Sequence, residues 1–486
     1  MITEMKKKKK LAKVLIPLLV FLVIVNTISI VSLFSEVEFY KQKQNLNNEM
    51  DQKFIKHTVP YTESSVYSSY ESTVPTNTTV YPFRFYIYEL PRSLNKDILE
   101  YCHNYLDRSC YNFSLYGMGR KIVPNHYTDG SISICGTHQF NLEPIIHEKL
   151  KRNPLRTRNP QKADMFYVPA YIGLLCICQN DKASKMIQTL KDFLTNSSYF
   201  STGKPHFSTA SKIEKEMESS NCPYLFQSFT NKITYITIEK QKMSYGFNTV
   251  WPFSIMYKNS IIVAPYPSYG HFQQSKEIYL STVPIHDRDV FILLPAGEHP
   301  SSHQRLKIMN QFDIKTKFPY SRFKLCHVNH SNRMVLFYTK ECDHSISKSL
   351  FSWMQHSVFC LQPPGDSPSR KSFYDSIMSG CIPVILTEDG HNPYAFQEFL
   401  DYSTFTISIE VTKIVEQGHN IYNLLQDVST IQIQKMHEKI RKIAKYMQYS
   451  IPSGRREREN DALQLIFHKL ANKFKLPYDK QLQGIN

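Results

Sequence analysis

Short apolar runs alternate with amphipathic stretches over most of this chain, and that alternation constrains the fold more than any other feature of the sequence. The apolar runs predict strands at 83–88, 165–169, 233–238, 260–264, 289–294, 334–338, 358–361 and 382–386. The amphipathic stretches predict helices at 139–151, 183–194, 345–354 and 369–379, another after Ser301, and largely helical sequence at 429–472 that Pro452 and Gly454 interrupt. Strands and helices in this order are typical of an α/β fold with parallel sheets.

The alternating region is too long for one sheet, so we divide it into an N-terminal domain at 83–280 and a C-terminal domain at 281–475. Hydrophobic residues make up 42% of the chain and charged residues 21%, as in an ordinary globular protein. The formal net charge of +16 suits an anionic ligand, but such a balance is more often a solubility feature. The tail at 455–459 alternates in charge sign, which indicates a solvated helix start, and we predict no nucleic-acid partner.

The first 34 residues predict a membrane anchor. Residues 6–10 are all lysine, and the 21 positions at 14–34 carry no charged side chain. A helix of that length would span about 30 Å, the thickness of the hydrocarbon core of a bilayer. Because the basic residues come first, 1–13 should be a cytoplasmic tail and the rest of the chain should lie on the lumenal side. A cleaved signal peptide is the alternative, but the apolar stretch is too long for one and lacks a small-residue cleavage site.

Residues 35–82 are polar and without periodicity, which predicts a stem between the membrane and the folded region. Four N-glycosylation sequons lie beyond the anchor, at Asn77, Asn112, Asn196 and Asn329. We therefore predict a single-pass type II protein of the Golgi membrane with a glycosylated lumenal domain. The sequence leaves a homo- or hetero-oligomeric state open.

All ten cysteines also lie beyond the anchor, where the medium is oxidising. The spacing predicts local disulfides between Cys102 and Cys110 and between Cys326 and Cys342, whereas Cys360 and Cys381 lie in apolar runs and are expected to be buried thiols. Cys176 and Cys178 have the wrong spacing for a zinc site, and we predict no metal.

The segment at 357–386, SVFCLQPPGDSPSRKSFYDSIMSGCIPVIL, carries the clearest chemical signal. It predicts a strand, a tight turn, a helix, a glycine turn and a second strand. Ser367 or Ser369 can cap the helix, and its first N–H groups together with Arg370 and Lys371 form an anion site. Asp375 is suited to accept hydrogen bonds from ribose hydroxyls. The alternative is a plain strand–helix–strand unit with a surface arginine and lysine.

This segment closely resembles the signature of the exostosin-like glycosyltransferases of family 47. Further matching motifs follow in the family's order: the strand at 83–88, THQFNLEPIIHEKL, ADMFYVPAY, GKPHF, ITIEK, VAPYPSYGHF and VFILLPAGE. The resemblance covers about residues 83–410, and PYPSYGHF favours the branch similar to plant xyloglucan galactosyltransferases. It implies a GT-B fold, with two Rossmann-like domains facing a cleft, preceded here by the transmembrane anchor and stem.

The resemblance also implies inverting transfer from a nucleotide sugar, usually UDP-linked, to a glycan acceptor, with no cofactor or metal required. The donor-binding residues expected from it and from the segment are Gly365, Asp366, Ser367, Ser369, Arg370, Lys371, Asp375 and Arg305. The candidates for the catalytic base are His206, Glu143 and His138.

Two residues depart from the family pattern, since His138 and Pro205 each stand where an aspartate is usual. The donor segment is nevertheless complete, and it predicts a glycosyltransferase that moves a hexose, with galactose as one candidate, to a polysaccharide or glycoprotein glycan. The two departures favour the alternative, an inactive relative that binds glycan or nucleotide as a scaffold or partner subunit.

Overall fold

The computed structural model describes residues 83–105, 112–122, 132–178, 182–213, 232–240, 261–273, 280, 282–296, 303–311, 324–328, 332–336, 344–365, 367–387, 392–454 and 460–478. The predicted tail, anchor and stem lie outside these ranges, as do Asn77, Asn329 and Asp366. Within the ranges that are described, no helix is long and apolar enough to cross a membrane. The anchor, the stem and glycosylation at all four sequons therefore stay predictions. Of the other two sequons, Asn196 is exposed and Asn112 is partly buried.

The described residues belong to one compact unit, Thr78–Asn486, which contains two large sheets. The first sheet is parallel throughout and has the spatial order β1-β3-β4-β5-β6. Its strands are β1 (Phe85–Ile87), β3 (Met165–Val168), β4 (His206–Ile213), β5 (Ile233–Glu239) and β6 (Ile261–Val263). Every residue of β3 and β5 is buried, as expected for parallel strands that are covered on both faces.

The second sheet has the order β13-β12-β11-β8-β10-β9 and is parallel except for β9, which pairs antiparallel with β10. Its strands are β8 (Val290–Leu294), β9 (Lys324–Val328), β10 (Asn332–Leu336), β11 (Ser357–Gln362), β12 (Ile382–Thr387) and β13 (Ile407–Glu410). A small antiparallel pair, β2 (Ile132–Ile134) with β7 (Gly270–Phe272), completes the described strands. Two largely parallel sheets confirm the predicted α/β class, while the domain boundary at 280 stays a prediction.

Eleven α-helices are described. They are α1 (Lys96–Tyr105), α2 (Leu142–Arg152), α3 (Ile172–Cys178), α4 (Ala183–Thr195), α5 (His303–Asn310), α6 (His344–Gln355), α7 (Lys371–Ser379), α8 (Val411–Val415), α9 (Ile421–Gln426), α10 (Thr430–Ile443) and α11 (Ala462–Phe474). Helices α2 and α3 both pack against β4, and α7 packs against β11, β12 and α6. Helix α3 crosses β4 closely, because a Cβ atom on Gly173 would lie 2.6 Å from the Ser211 nitrogen.

The predicted strands and helices are found within a few residues of their predicted bounds, and the long helical tail is divided into α10 and α11 as expected. Helices α1, α3, α8 and α9 and strands β2, β4, β7, β9 and β13 were not predicted. Strand β4 has the sequence HFSTASKI and is buried along almost its whole length. Its polar residues do not predict a buried strand. Burial in the middle of a sheet, which composition does not reveal, makes this segment a strand.

The predicted cysteine pairing is wrong at two places. Cys102 is bonded to Cys178, which joins α1 to the end of α3 across 76 residues of sequence and excludes a bond to Cys110. Cys360 and Cys381 are not thiols but a disulfide, because β11 and β12 are neighbouring strands that bring their Cα atoms to 5.9 Å. Cys176 is disulfide-bonded as well. Cys342 lies outside the described ranges, so its bond to Cys326 stays a prediction.

Arg288 lies between two aspartates whose side chains are more than half exposed, but it is itself buried. Its guanidinium donates to the carbonyl oxygens of Met354 and Ser357, where α6 meets β11, and to that of Ser379, at the end of α7. Burial lowers the pKa of Arg288 to about 9. This side chain therefore satisfies carbonyl groups at the ends of two helices that would otherwise be buried without donors.

The C-terminal part of the chain returns to the first half of the structure through a buried ion pair. Lys149 on α2 lies 2.8 Å from the Asp461 carboxylate, and both side chains are fully buried. Asp461 also caps α11 by accepting from the Leu463 N–H, and it accepts from the Ser450 N–H. These bonds hold the start of α11 against α2, some 300 residues away in sequence.

We expect Lys149→Met to reduce the free energy of unfolding by about 3–5 kcal/mol, because it leaves the Asp461 carboxylate buried without its counter-charge. Lys151→Met on the same helix is the matched control. It removes a partly exposed ion pair with Glu148 and should cost less than about 1 kcal/mol. Chemical denaturation measures both variants, and equal losses would contradict this account.

Candidate active site

The predicted anion-binding segment forms β11, a loop at 363–370, helix α7 and strand β12. Gly380 ends α7 in the left-handed conformation, with φ of 73°, and allows the chain to turn into β12. The helix begins at Lys371, two residues later than predicted, and Arg370 is its N-cap. Neither Ser367 nor Ser369 caps the helix, which corrects that expectation, because the helix begins later than predicted and Arg370 occupies the N-cap position without a side-chain cap hydrogen bond.

Two arginines lie beside the loop at Gly365. Arg305, from α5, donates through Nε to the Pro364 carbonyl oxygen at 2.8 Å. Arg370 donates through Nε to the Ser372 hydroxyl at 3.1 Å. A Cβ atom on Gly365 would lie 2.6 Å from an Arg305 terminal nitrogen and 3.5 Å from an Arg370 terminal nitrogen. The fold thus brings two guanidinium groups to one glycine at the carboxyl end of β11, although they are 65 residues apart in sequence.

Lys371 and Asp375 lie on one face of α7 and form a buried ion pair of 3.0 Å. Asp375 also accepts from the Tyr269 N–H at 2.7 Å, and the Lys371 ammonium lies over the Tyr269 ring. Both side chains therefore hold α7 against the segment that precedes β7. Their predicted roles toward diphosphate and ribose stay predictions.

Glu239, the last residue of β5, was not predicted as a site residue, although it lies within the ITIEK motif. One of its carboxylate oxygens accepts from the Ser367 hydroxyl at 2.7 Å, from the Ser369 N–H at 2.8 Å and from the Ser369 hydroxyl. The Tyr266 hydroxyl lies 3.1 Å from the Ser369 hydroxyl oxygen. The available signal was a charged residue at the carboxyl end of a buried strand, but sequence alone does not reveal what it faces.

The three candidate bases lie in the first half of the structure, and all three are buried. Glu143 accepts from the N–H groups of Gly173 and Leu174, at 2.7 Å and 3.0 Å, and so caps α3. Burial raises its pKa to about 8. The His138 ring lies against Phe140, and its Nδ1 accepts from the Phe140 N–H at 3.3 Å.

His206 has both ring nitrogens in hydrogen bonds. Nδ1 lies 2.8 Å from the Lys204 carbonyl oxygen, so it carries the proton, and Nε2 then accepts from the Tyr88 hydroxyl at 2.9 Å. The ring stacks on Phe166, and burial lowers its pKa to about 4. This geometry favours structural roles for Glu143 and His206, and the identity of the catalytic base stays a prediction.

The chain matches the model of the exostosin GT47 domain over residues 80–425. It belongs to this family of glycosyltransferases. The match confirms the resemblance that the motifs indicate and extends it slightly at both ends.

The exostosin-family relatives include three proteins of Arabidopsis thaliana. The probable xyloglucan galactosyltransferase GT15 is 27% identical over 404 residues, which cover 76% of this chain and 77% of the relative. Xyloglucan-specific galacturonosyltransferase 1 is 24% identical over 409 residues, 80% of this chain and 56% of the relative. Xyloglucan galactosyltransferase MUR3 is 24% identical over 422 residues, 80% of this chain and 62% of the relative.

Among solved structures, Anabaena Alr3699/HepE in complex with UDP overlaps with 64% of this chain and 79% of its own. The TM-score is 0.34 and the sequence identity is 11%. A similarity this low says nothing about the function of this exostosin-family chain.

We expect Gly365→Ala to weaken the binding of UDP, the nucleotide that the family resemblance implies, by about tenfold. The added methyl group would move the Arg305 guanidinium, which is the flexible end of a side chain, so the thermal midpoint should change little. Gly454→Ala is the control, because nothing lies within 4 Å of a Cβ atom there. Calorimetric titration with UDP measures both variants, and unchanged affinity in Gly365→Ala would exclude Arg305 from the site.

We expect Glu143 to make the protein less stable as the pH rises. Its carboxyl group has a pKa of about 8 in the folded protein and an ordinary value of 4.5, so between these values only the folded state keeps the proton. Stability from this group is complete below pH 4.5 and is lost at about 1.4 kcal/mol per pH unit as the pH rises toward 8.

Denaturation of Glu143→Gln from pH 5 to 8 tests this expectation, since the variant should lack the dependence. Glu148→Gln on the same helix is the control. The pKa of Glu148 is lowered, against the effect of its partial burial, by Lys151 and Arg152, so it does not titrate in this range. Parallel curves for the wild type and Glu143→Gln would contradict the assignment.

Proposed function

We propose that this exostosin-family protein is an inverting glycosyltransferase that transfers a hexose from a UDP-sugar to a polysaccharide or glycoprotein glycan in the secretory pathway. Galactose is the first candidate for the sugar, because several relatives are described as xyloglucan galactosyltransferases. Galacturonic acid is the second, because another relative is described as a galacturonosyltransferase. A uronic acid donor carries an additional carboxylate, so its pocket would need one more cationic or hydrogen-bonding group.

The observation that carries this proposal is the pair of guanidinium groups at Gly365, next to the N-terminus of α7. Anions bind well at such a helix start, where N–H groups point outward and the helix dipole is positive. Arginine adds planar donors that match phosphate oxygens. Gly365, Asp366, Ser367 and Ser369 would line the loop. Arg370 and Arg305 would bind the diphosphate together with Lys371, and Asp375 would lie toward the ribose.

Tyr394 supports this arrangement. Its hydroxyl group is buried, and beyond the nearby Arg370 backbone it has no hydrogen-bond partner among the residues that the structure describes. Burial raises the pKa of Tyr394, and the positive charge of Arg370 opposes that change. A protonated hydroxyl group near an arginine is well placed to donate a hydrogen bond to a phosphate oxygen. The Tyr394 hydroxyl group would gain that acceptor when the sugar nucleotide binds.

In the proposed reaction the acceptor hydroxyl attacks the anomeric carbon while the bond to the diphosphate breaks. The two arginines and the N–H groups before α7 would stabilise the charge that develops on the departing diphosphate. A base must take the proton of the acceptor hydroxyl, and His206, Glu143 and His138 stay the candidates from sequence. No group of three or more metal-ligating side chains that could hold an ion is found in the described part of the chain. A reaction without a metal ion remains part of the proposal.

The cellular setting is also part of the proposal. A type II anchor at 14–34 and a stem at 35–82 would hold the folded region in the Golgi lumen. The active site would lie there, between two Rossmann-like domains of the GT-B type. The disulfides fit this setting, because they form and persist in oxidising compartments.

One set of observations favours a second candidate, an inactive relative that binds nucleotide or glycan as a scaffold or partner subunit. His138 and Pro205 replace the usual aspartates, and the candidate bases Glu143 and His206 are engaged in structural hydrogen bonds. A panel of UDP-sugars distinguishes the two, since an enzyme hydrolyses or transfers one donor and a scaffold binds UDP with no turnover.

We expect Arg370→Ala to weaken UDP binding by about tenfold to a hundredfold, the effect of losing one charged hydrogen-bond partner of the diphosphate. Turnover of the preferred UDP-sugar should fall with it. Lys413→Ala is the matched control, because it removes one positive charge from an exposed side chain on α8. Titration calorimetry and donor hydrolysis measure the effect, and a folded Arg370→Ala protein that binds UDP like the wild type would rule out this role.

A further inference from the structure

We propose that Glu239 competes with the sugar nucleotide at the diphosphate site: its carboxylate occupies the place of a phosphate oxygen until the sugar nucleotide displaces it. The inference rests on the proposed function, because it takes the loop at 363–370 as the diphosphate site. It concerns a residue on the first sheet that acts on donor binding through Ser367 and Ser369.

The geometry at Glu239 is that of an occupied anion site. A single carboxylate oxygen accepts from one backbone N–H and two hydroxyl groups, all of them from the loop that leads into α7. Convergence of N–H and hydroxyl donors in front of a helix is how proteins bind a phosphate oxygen. In the structure described here, the Glu239 carboxylate accepts these hydrogen bonds.

A carboxylate and a diphosphate cannot both accept hydrogen bonds from these N–H and hydroxyl groups at the same time. Both are negative, the site is almost fully buried, and like charges at hydrogen-bonding distance repel strongly where water is excluded. The hydroxyl proton of Ser369 can be given to only one acceptor at a time. Binding of a diphosphate at this loop therefore requires the Glu239 side chain to move away.

The Tyr266 hydroxyl provides the means for the exchange. It lies 3.1 Å from the Ser369 hydroxyl oxygen, and burial raises the pKa of Tyr266 well above its ordinary value, so it keeps its proton. While Ser369 donates to Glu239, Tyr266 can donate to Ser369. When the carboxylate moves away, the Ser369 and Tyr266 hydroxyl groups can donate to a phosphate oxygen in its place. No buried hydroxyl group is then left without a hydrogen-bond acceptor.

This arrangement predicts the sign of an affinity change. Glu239→Gln keeps the shape of the side chain but removes the negative charge that competes with the donor. UDP and inorganic pyrophosphate should therefore bind about tenfold more tightly to the variant than to the wild type, the effect of weakening one competing charged hydrogen-bond set. The affinity for uridine, which has no phosphate, should not change. A residue that only held the two sheets together would weaken binding when replaced, or would leave it unchanged.

Calorimetric titration of the full chain with UDP, pyrophosphate and uridine tests the proposal, with the thermal midpoint as a measure of folding. Glu416→Gln is the control for net charge, because Glu416 is exposed at the end of α8. Should Glu239→Gln fail to fold, Glu239→Asp replaces it. That variant keeps the charge, reaches Ser367 and Ser369 less well, and should also bind UDP more tightly than the wild type.

Equal or weaker UDP binding in a folded Glu239→Gln protein would overturn the inference, and so would tighter binding of uridine to the same extent. A failure of the proposed function looks different. In that case UDP and pyrophosphate would bind neither the wild type nor any variant, or Arg370→Ala would bind UDP like the wild type.

Discussion

A charge that is removed from water must find a partner, and this constraint determines how the parts of the described structure are joined. Lys149 and Asp461 are fully buried and pair with each other, which fixes the C-terminal helix against α2. Arg288 is buried among carbonyl groups at the ends of α6, α7 and the neighbouring loop. Glu143, which burial keeps protonated below about pH 8, caps α3 from another helix. Each of these side chains connects elements that are distant in sequence, so the buried polar contacts define the arrangement around the sheets while apolar burial supplies most of the stability.

The same constraint shapes the candidate active site. Arg305 reaches the loop at 363–370 from α5, and Arg370 reaches it from the start of α7. Glu239 reaches the same loop from the first sheet. Two positive groups and one negative group thus surround a short loop whose backbone and hydroxyl donors suit an oxyanion. Under the proposed function, such a site would bind a diphosphate by exchanging one anion for another. That exchange would connect the first sheet, on the proposed acceptor side, with the segment proposed to bind the sugar nucleotide.

The two residues that depart from the family pattern make contacts inside the fold. At position 205 a proline precedes β4, and its carbonyl oxygen accepts from the Phe166 N–H, so the backbone contributes to the sheet there. His138 lies against Phe140 in the turn before α2. The neighbouring polar residues Glu143 and His206 are likewise bound to backbone and side-chain groups inside the fold. The first half of the structure therefore uses several polar side chains for packing that the sequence presents as candidates for chemistry.

The sequence by itself determined the α/β class, most strands and helices of the second half, the strand–helix–strand segment at 357–386 and the family, because apolar periodicity and a contiguous motif are local properties of the chain. It did not determine strand β4, where polar residues are buried in the middle of a sheet. It also did not determine the Cys102–Cys178 and Cys360–Cys381 bonds, since these depend on which helices and strands become neighbours. Glu239 is the clearest case. Nothing near it in sequence identifies its partners, which lie about 130 residues further along the chain. Only the meeting of the carboxyl end of β5 with the loop before α7 gives this glutamate its contacts, because the tertiary structure decides which buried charges and donors face each other.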